Sequence, residues 1–319
     1  MMSEIEQPRT YAERWIYAVK IKSWPKVLGA AALGSSLGAT QVDSVASAEI
    51  LGLLYAASFL FLDVIYIVLI NDWADQRVDK IKRQLFPEGC SPKTIPDDIL
   101  PARSVHVGGL LAAVGCVVVA WLAEATLERA GAVFGALLCL GMFAVYSLPP
   151  VRLNYRGGGE FAEALGVGLV LPLFIAYLGF GVAPNRDSVM LASGHGLLAL
   201  ASALASGLSD EVSDRLGGKR TCATIFGSAA TRRSIEILLV LGGFACCATP
   251  YFTELPSWIG TPAGLFVLYA ARGVRRASPF AVTNAFRALG TYKARLHECI
   301  WGGTALLTTS LWAYSLWVR

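Results

Sequence analysis

Nine stretches of the chain consist almost wholly of apolar residues, and polar segments separate them. Each stretch is about long enough to cross the roughly 30 Å hydrocarbon core of a bilayer as a helix. They span residues 23–42, 48–70, 104–123, 131–149, 161–182, 189–208, 234–252, 256–272 and 299–318. The pattern predicts an all-α integral membrane protein with nine transmembrane helices.

The composition supports this prediction. Hydrophobic residues make up 55% of the 319 residues and charged residues only 16%, whereas soluble domains carry about 25% charged residues. No short apolar run with a small-residue cleavage site opens the chain, so we predict no signal peptide. The seven cysteines form no CxxC pair, which argues against a disulfide framework and a zinc site. We expect a single transmembrane domain over residues 1–319, with a polar tail at 1–22.

The positive charges predict the orientation in the membrane, because cytoplasmic loops are enriched in Lys and Arg. With nine spans and a cytoplasmic N-terminus, all 27 lysine and arginine residues except Arg129, Arg186 and Arg319 fall on the cytoplasmic side. With a different number of helices, these lysine and arginine residues would be spread over both sides of the membrane. The net charge of +4 suits anionic lipid headgroups, and the sequence indicates neither a nucleic-acid partner nor an obligate protein partner.

An acidic stripe directly follows the second apolar stretch. Asn71, Asp75 and Asp79 are spaced at i, i+4 and i+8, which places them on one face of a helix. Like charges at this spacing repel each other, so such a stripe at a membrane boundary requires a neutralising cation. Mg²⁺ binds a few carboxylates and shares its other positions with water and phosphate oxygens. The stripe therefore indicates part of a magnesium–diphosphate site.

A second acidic segment, S-D-E-V-S-D-R-L-G-G-K-R-T, lies in the loop 209–233 and places Asp210 and Asp214 at the same four-residue spacing. Basic residues that could bind phosphate oxygens follow both segments, namely Lys80, Lys82, Arg83, Lys219 and Arg220. The alternative is a pair of solvated loops whose acids pair with neighbouring bases. Two segments at helical spacing on the same side of the membrane favour the metal site.

These segments resemble the two signature motifs of the UbiA superfamily of intramembrane prenyltransferases. The family's N-x-x-x-D-x-x-x-D motif matches Asn71, Asp75 and Asp79, and Asp72 gives the common N-D start. The family's D-x-x-x-D motif, followed by a glycine and a basic segment, matches Asp210, Asp214, Gly218, Lys219, Arg220 and Thr221. The segment Y-S-L-P-P-V-R-L, from Tyr146 to Leu153, is similar to the segment after the family's fourth helix.

The resemblance implies a bundle of nine helices around a central cavity that cytoplasmic loops cap. Mg²⁺ would be held by Asn71, Asp75, Asp79, Asp210 and Asp214, and would bind the diphosphate of a polyprenyl donor. Further contacts to this substrate would come from Asp72, Lys22, Lys82, Arg83, Tyr146, Arg152, Lys219 and Arg220. Departure of pyrophosphate would leave an allylic carbocation between apolar walls, and an aromatic or lipid-like acceptor would attack it.

Three acids lie in or beside the apolar stretches, where charged groups usually face a cavity or a partner. Glu160 and Glu163 begin the fifth stretch, and Asp63 lies eight residues before Asn71. Each could orient an acceptor, take its proton or stabilise a cation, or could simply pair with a neighbouring base. We include Glu163 among the candidate catalytic residues, together with Asp75, Asp79, Asp210 and Asp214.

One segment departs from the family pattern and leaves the acceptor open. The stretch R-Q-L-F-P-E-G-C-S-P-K, from Arg83 to Lys93, is inserted before the segment that resembles the family's next motif. A terpene cyclase, in which the substrate's own double bonds attack the cation, would use the same ionisation machinery and is the main alternative to a transferase. A transporter is a third alternative. Transporters carry their functional acids near the middle of the membrane, whereas the acids here lie at the cytoplasmic ends of the helices.

Overall fold

The computed structural model describes residues 10–87, 92–282 and 284–317, and this part of the chain folds into helices without any β-strand. The main helices are α1 (Tyr11–Ala18), α2 (Pro25–Ala39), α3 (Ser47–Leu85), α4 (Ala102–Leu127), α5 (Ala132–Ser147), α6 (Gly159–Phe180), α7 (Arg186–Leu208), α8 (Glu211–Gly217), α9 (Cys222–Cys247), α10 (Ser257–Ala277) and α11 (Phe286–Trp317). The prediction of an all-helical chain is confirmed.

Four of these helices, α3, α4, α6 and α7, are long and apolar enough to cross a membrane. Helix α5 is apolar but has only 16 residues. Helices α2, α9, α10 and α11 each overlap one of the other apolar stretches of the sequence. Every predicted span therefore coincides with a helix, whereas the number of spans and the side of the N-terminus remain predictions.

Helix α3 carries the apolar stretch and the first acidic stripe in one unbroken element. It contains 39 residues and is therefore about 58 Å long, nearly twice the thickness of the hydrocarbon core. The Glu49 side chain accepts a hydrogen bond from the Ala46 backbone N–H (3.0 Å) at its N-terminus, and Pro87 follows its end. Because the helix does not break at Asn71, the acidic residues keep the same rotational register as the apolar residues below them.

Helix α6 changes its hydrogen-bond register in the middle. A π-helical turn at Gly166–Val170 joins its two α-helical halves. Pro172, in the second half, has no N–H to donate to the preceding turn, and π-turns of this kind often occur at functional sites. The turn separates Glu163, near one end of the helix, from Leu171 at the start of the second half.

Glycines allow α2 and α3 to pack closely against α6. A Cβ atom on Gly34 would lie 2.3 Å from the Pro172 carbonyl oxygen, and one on Gly52 would lie 2.1 Å from the Gly179 carbonyl oxygen. Small residues at helix contacts are typical of membrane bundles, in which van der Waals packing replaces the hydrophobic effect between helices. These two contacts fix three of the helices that surround the central cavity.

We predict that Gly52→Ala destabilises the protein, because the added methyl group would overlap the Gly179 carbonyl and force α3 away from α6. Overpacking of this kind typically lowers the free energy of unfolding by about 1–3 kcal/mol. The measurement is thermal unfolding of the purified protein in detergent. Gly141→Ala is the matched control, since a Cβ atom there meets no atom within 4 Å, and equal melting temperatures for the two variants would contradict the prediction.

Candidate active site

A cavity of about 370 Å³ lies between α2, α3, α5, α6, α7 and α8. One end, which we call the charged end, is lined by Asp72, Asp75, Asp79, Asp210 and Asp214, together with Lys20, Lys26, Lys82, Lys93 and Lys219. The other, the apolar end, is lined mainly by Val64, Ile67, Val68, Met142, Phe143, Val167 and Leu171. The cavity can thus accommodate a ligand with an anionic head and a hydrocarbon tail.

The first acidic stripe faces the cavity as one surface of α3. Asn71, Asp75 and Asp79 all line it, and the Asn71 side-chain amide donates a hydrogen bond to Asp75 Oδ2 (3.3 Å). Asp75 is 4% exposed and Asp79 8% exposed. Asp72 is also buried and accepts a hydrogen bond from the Thr94 hydroxyl (2.6 Å). These side chains meet in the structure because α3 continues without a break past the apolar stretch.

The two acidic segments face each other and are joined by reciprocal ion pairs. Lys82 of α3 pairs with Asp210 of the second segment. Lys219, which follows the second segment, pairs with Asp75 of the first (2.6 Å) and lies 4.0 Å from Asp214. Since each segment carries the other's counter-charge, the lysines hold the two segments on opposite sides of the same space.

Two further lysines neutralise the remaining aspartates. Lys20, just before α2, pairs with Asp72, and Lys93 pairs with Asp79 (2.5 Å). Burial acts to lower the pKa of Lys93, but the carboxylates of Asp79 and Asp210 raise it above its usual value. Lys93 therefore stays charged although it is only 8% exposed.

Asp210 and Asp214 differ in their electrostatic surroundings. Although burial acts in the opposite direction, the ammonium groups of Lys82, Lys93 and Lys293 hold the pKa of Asp210 well below its usual range. Burial raises the pKa of Asp214 to about 7, and the carboxylates of Asp210 and Asp75 add to this while Lys219 opposes it. The Lys219 ammonium group lies 4.0 Å from Asp214 and 2.6 Å from Asp75, so these two carboxylates share one counter-charge.

The donors at the charged end fit a hard divalent cation. Carboxylates from both segments and the Asn71 amide are oxygen ligands of the kind that Mg²⁺ prefers. Within residues 10–87, 92–282 and 284–317, no three His, Cys, Asp or Glu side chains already converge on one point as a metal site. Lysine ammonium groups pair with these carboxylates instead.

The predicted substrate-binding residues divide into two groups. Asp72, Lys82, Tyr146 and Lys219 line the cavity. Lys22, Arg83, Arg152 and Arg220 do not line it.

Lys22 and Arg220 are exposed. Lys20 adopts a left-handed backbone conformation (φ 48°) and a short 3₁₀ turn follows at Ile21–Ser23. Lys20 and Lys26, on either side of this turn, line the cavity and Lys22 does not, and a contact of Lys22 with a substrate remains a prediction. Arg220 reaches its neighbours through its backbone N–H, which donates to the Asn154 carbonyl (3.3 Å).

Arg83 anchors the inserted stretch rather than the cavity. Its Nε and Nη2 atoms donate to the two carboxylate oxygens of Asp97 (2.7 and 2.6 Å), and Nη1 donates to the Pro87 carbonyl (3.0 Å). Residues 88–91 of this stretch lie outside the described part of the chain. The stretch contributes Lys93 to the charged end, so its arginine fixes the loop and its lysine lines the site.

Arg152 acts on the site through Tyr155. Its Nη2 atom donates to the Ala74 carbonyl (2.6 Å), and its guanidinium lies 3.6 Å from the centre of the Tyr155 ring. The Tyr155 hydroxyl donates to Asp75 Oδ1 (3.2 Å). Arg152 is therefore a positioning residue that holds Tyr155 against the acidic stripe.

The two glutamates of α6 have different surroundings. Glu163 lines the cavity and pairs with Lys26 of α2. Glu160 also reaches the cavity wall, but its carboxylate accepts a hydrogen bond from the Cys222 backbone N–H (2.6 Å) at the start of α9. A carboxylate stabilises the N-terminus of a helix, so Glu160 joins α6 to α9.

Sequence reasoning missed Lys20, Lys93 and Tyr155 as parts of the site. The lysines were counted only among the positive charges of cytoplasmic segments, where nothing in a single sequence distinguishes a lysine that pairs with a buried acid. Tyr155 lies two residues after the segment from Tyr146 to Leu153 that carries the family resemblance, and its proximity to that segment was the one available signal.

Comparisons with known proteins agree with this architecture. No functionally curated protein matches the sequence. A UbiA homolog from Archaeoglobus fulgidus, solved with DMAPP and Mg²⁺, is 14% identical, with 92% of this chain and 99% of that chain covered and a TM-score of 0.68. The same homolog with GPP and Mg²⁺ gives 14% identity, the same coverage and a TM-score of 0.65.

A third structure comes from work on digeranylgeranylglyceryl phosphate synthase in membranes. It is 15% identical, covers 92% of this chain and 98% of its own, and has a TM-score of 0.56. At these identities the similarities show a common fold. The family model for the UbiA prenyltransferase family matches residues 23–295. The chain belongs to the UbiA prenyltransferase family.

Proposed function

We propose that the protein is a Mg²⁺-dependent intramembrane prenyltransferase, which ionises a polyprenyl diphosphate and transfers the prenyl group to an aromatic or lipid-like acceptor. The observation that carries the proposal is the cavity itself, in which two acidic segments and their lysines form one end and apolar side chains form the other. The related homolog with bound DMAPP or GPP and Mg²⁺ supports it.

Asn71, Asp75, Asp79, Asp210 and Asp214 would hold the magnesium ions. When bound there, Mg²⁺ supplies positive charge beside the diphosphate and so favours its departure. The Asn71 amide and the carboxylates of the four aspartates line the charged end from both sides. Arg152 and Tyr155 keep Asp75 in place through the hydrogen bond of the Tyr155 hydroxyl.

Lys82 and Lys219 would bind the diphosphate oxygens that do not contact the magnesium ions held by the aspartates. Lys82 is buried and Lys219 half-buried at the charged end, and both donate hydrogen bonds to carboxylates. Ammonium groups bind phosphate oxygens in the same way. Asp72 and Tyr146 complete the lining on the α3 and α5 sides. Positive groups already in place at the leaving group stabilise the charge that develops there.

The reaction breaks the bond between C1 of the donor and the diphosphate oxygen, and the electron pair leaves with pyrophosphate. The apolar residues of α3, α5 and α6 exclude water from the resulting cation. An electron pair of the acceptor forms the new bond to C1, and the acceptor's proton passes to the Glu163 carboxylate. Lys26 pairs with Glu163 and would keep it ionised until that step.

We further propose that residues 1–319 form one domain of nine membrane-spanning helices with a cytoplasmic N-terminus and a cytoplasmic active site. Membrane lipid surrounds the bundle, and neither nucleic acid nor an obligate protein partner is involved. The distribution of Lys and Arg along the sequence supports this orientation.

We predict that Asp75→Asn and Asp210→Asn each abolish Mg²⁺-dependent pyrophosphate release, because each removes one carboxylate charge from the charged end. The measurement is pyrophosphate release from geranyl, farnesyl and geranylgeranyl diphosphate by the purified protein supplied with phenols or lipids as acceptors, before and after chelation of Mg²⁺. Asp43→Asn is the control, since Asp43 is exposed and far from the cavity. If the two cavity variants insert and fold but retain wild-type turnover, the proposed metal site is wrong.

We predict that Lys82→Met raises KM for the diphosphate donor by about 10- to 150-fold, which corresponds to the loss of one charged hydrogen bond worth about 1.5–3 kcal/mol. Lys80→Met is the matched control, because Lys80 lies two residues away on the exposed face of α3. The measurement is initial rates at saturating acceptor or, without one, initial rates of pyrophosphate release. An equal effect of both substitutions would exclude a specific contact of Lys82 with the donor.

We predict that turnover requires a second substrate. The purified protein is incubated with Mg²⁺ and each of the three donors, with and without added phenols or lipids, and organic extracts are analysed by mass spectrometry. A prenylated acceptor is expected. A cyclic terpene formed from the donor alone would replace the transferase by the cyclase alternative, which uses the same ionising residues.

A further inference from the structure

Asp63 lies at the end of the cavity that is furthest from the acidic stripes. On α3 it is the cavity-lining residue most distant from the charged end, and Cys139 on α5 and Leu171 on α6 are the equivalent residues of their helices. Asp63 precedes Asn71 by eight residues, so it lies about 12 Å deeper along α3. We call Asp63, Cys139 and Leu171 the cavity floor.

One oxygen of the Asp63 carboxyl group is buried without a hydrogen-bond partner in the described part of the chain. Asp63 is 3% exposed, and the oxygen without a partner is Oδ1. Two neighbouring polar groups are engaged elsewhere: the Tyr66 hydroxyl donates to the Leu140 carbonyl (3.2 Å) and the Cys116 thiol contacts the Phe59 carbonyl (3.7 Å). The third, the Cys139 thiol, is a weak donor and lines the cavity itself. Within the described part of the chain no group donates to Oδ1, so a molecule in the cavity would supply its hydrogen bond.

A hydrocarbon tail is a poor occupant of that floor. Buried polar groups are nearly always hydrogen-bonded. If a bound ligand removes the hydrogen-bond partner of a buried polar group, the complex with that ligand is destabilised. A tail that ends above the floor leaves room for water on the carboxyl group. A tail that reaches the floor displaces that water and offers no hydrogen bond in return.

We propose that Asp63 limits the length of the isoprenoid tail by the polarity of its carboxyl group rather than by bulk. The inference rests on the proposed function, because it takes the ligand to be a prenyl diphosphate whose head lies at the charged end. Donors whose tails stop short of the floor bind normally, and donors whose tails reach it bind more weakly.

The test compares two substitutions of similar shape. Leu and Asn both branch at Cγ into two heavy atoms, as Asp does, so Asp63→Leu removes the polarity and Asp63→Asn keeps it. The full-length protein in detergent is titrated calorimetrically with geranyl, farnesyl and geranylgeranyl diphosphate in the presence of Mg²⁺. We expect Asp63→Leu to shift the ratio of Kd values about tenfold, or about 1.4 kcal/mol, in favour of the longest donor. We expect Asp63→Asn to keep the wild-type ratio.

Two further variants control for bulk and folding. Ser58→Leu adds the same side chain to an exposed position of α3 outside the cavity and should leave the ratio unchanged. Leu171→Asn makes the reverse change at the floor and should shift the ratio toward the shortest donor. It tests the proposal independently if Asp63→Leu does not accumulate as folded protein.

The outcomes separate this inference from the proposed function. If the wild-type protein binds none of the three donors, the proposed function fails. If donors bind but Asp63→Leu and Asp63→Asn give the same ratio, the floor does not select by polarity and this inference alone is overturned. If both variants bind all donors as the wild type does but lose turnover, Asp63 acts in the chemical step and the length-limiting role is likewise overturned.

Discussion

Mutual repulsion among buried carboxylates is the constraint on which the charged end of the cavity depends. Five aspartates line one small space, and the protein tolerates this only because lysines from four different parts of the chain enter it. Each lysine comes from a segment other than the one that holds its aspartate partner. The electrostatic balance therefore also determines which segments must lie side by side, and a further cation would be favourable beside Asp214, which shares Lys219 with Asp75.

The helical fold and the acidic residues of the site could be predicted from the sequence, because both depend on local patterns. Apolar stretches of membrane length give helices, and four-residue spacing puts Asn71, Asp75 and Asp79 on one face. The basic residues were harder to predict. Lys20 and Lys22 are chemically identical, and only the 3₁₀ turn at Ile21–Ser23 makes their side chains lie in different places. A hydropathy pattern does not predict such a turn.

Long-range pairing explains the remaining differences. Arg83 and Arg152 resemble phosphate ligands in the sequence, but the structure engages them with Asp97 and with Tyr155. An arginine binds whichever planar or anionic group the fold brings to it, and the fold is not visible from the arginine's neighbours in sequence. Lys93 shows the converse, since it lies in the inserted stretch and still reaches Asp79.

The π-turn at Gly166–Val170 gives the cavity walls unequal stiffness. Asp63 and Asp79 lie on the same continuous α-helix, α3. Its uninterrupted backbone hydrogen bonds keep the distance between these two residues constant. In helix α6 the π-turn changes the backbone hydrogen-bond pattern between Glu163 and Leu171. The two halves of α6 are therefore held together less rigidly than the two ends of α3. Ligands of different shape would thus be accommodated by movement of α6 against a stationary α3, and evolutionary change in substrate preference would accumulate on the α6 side.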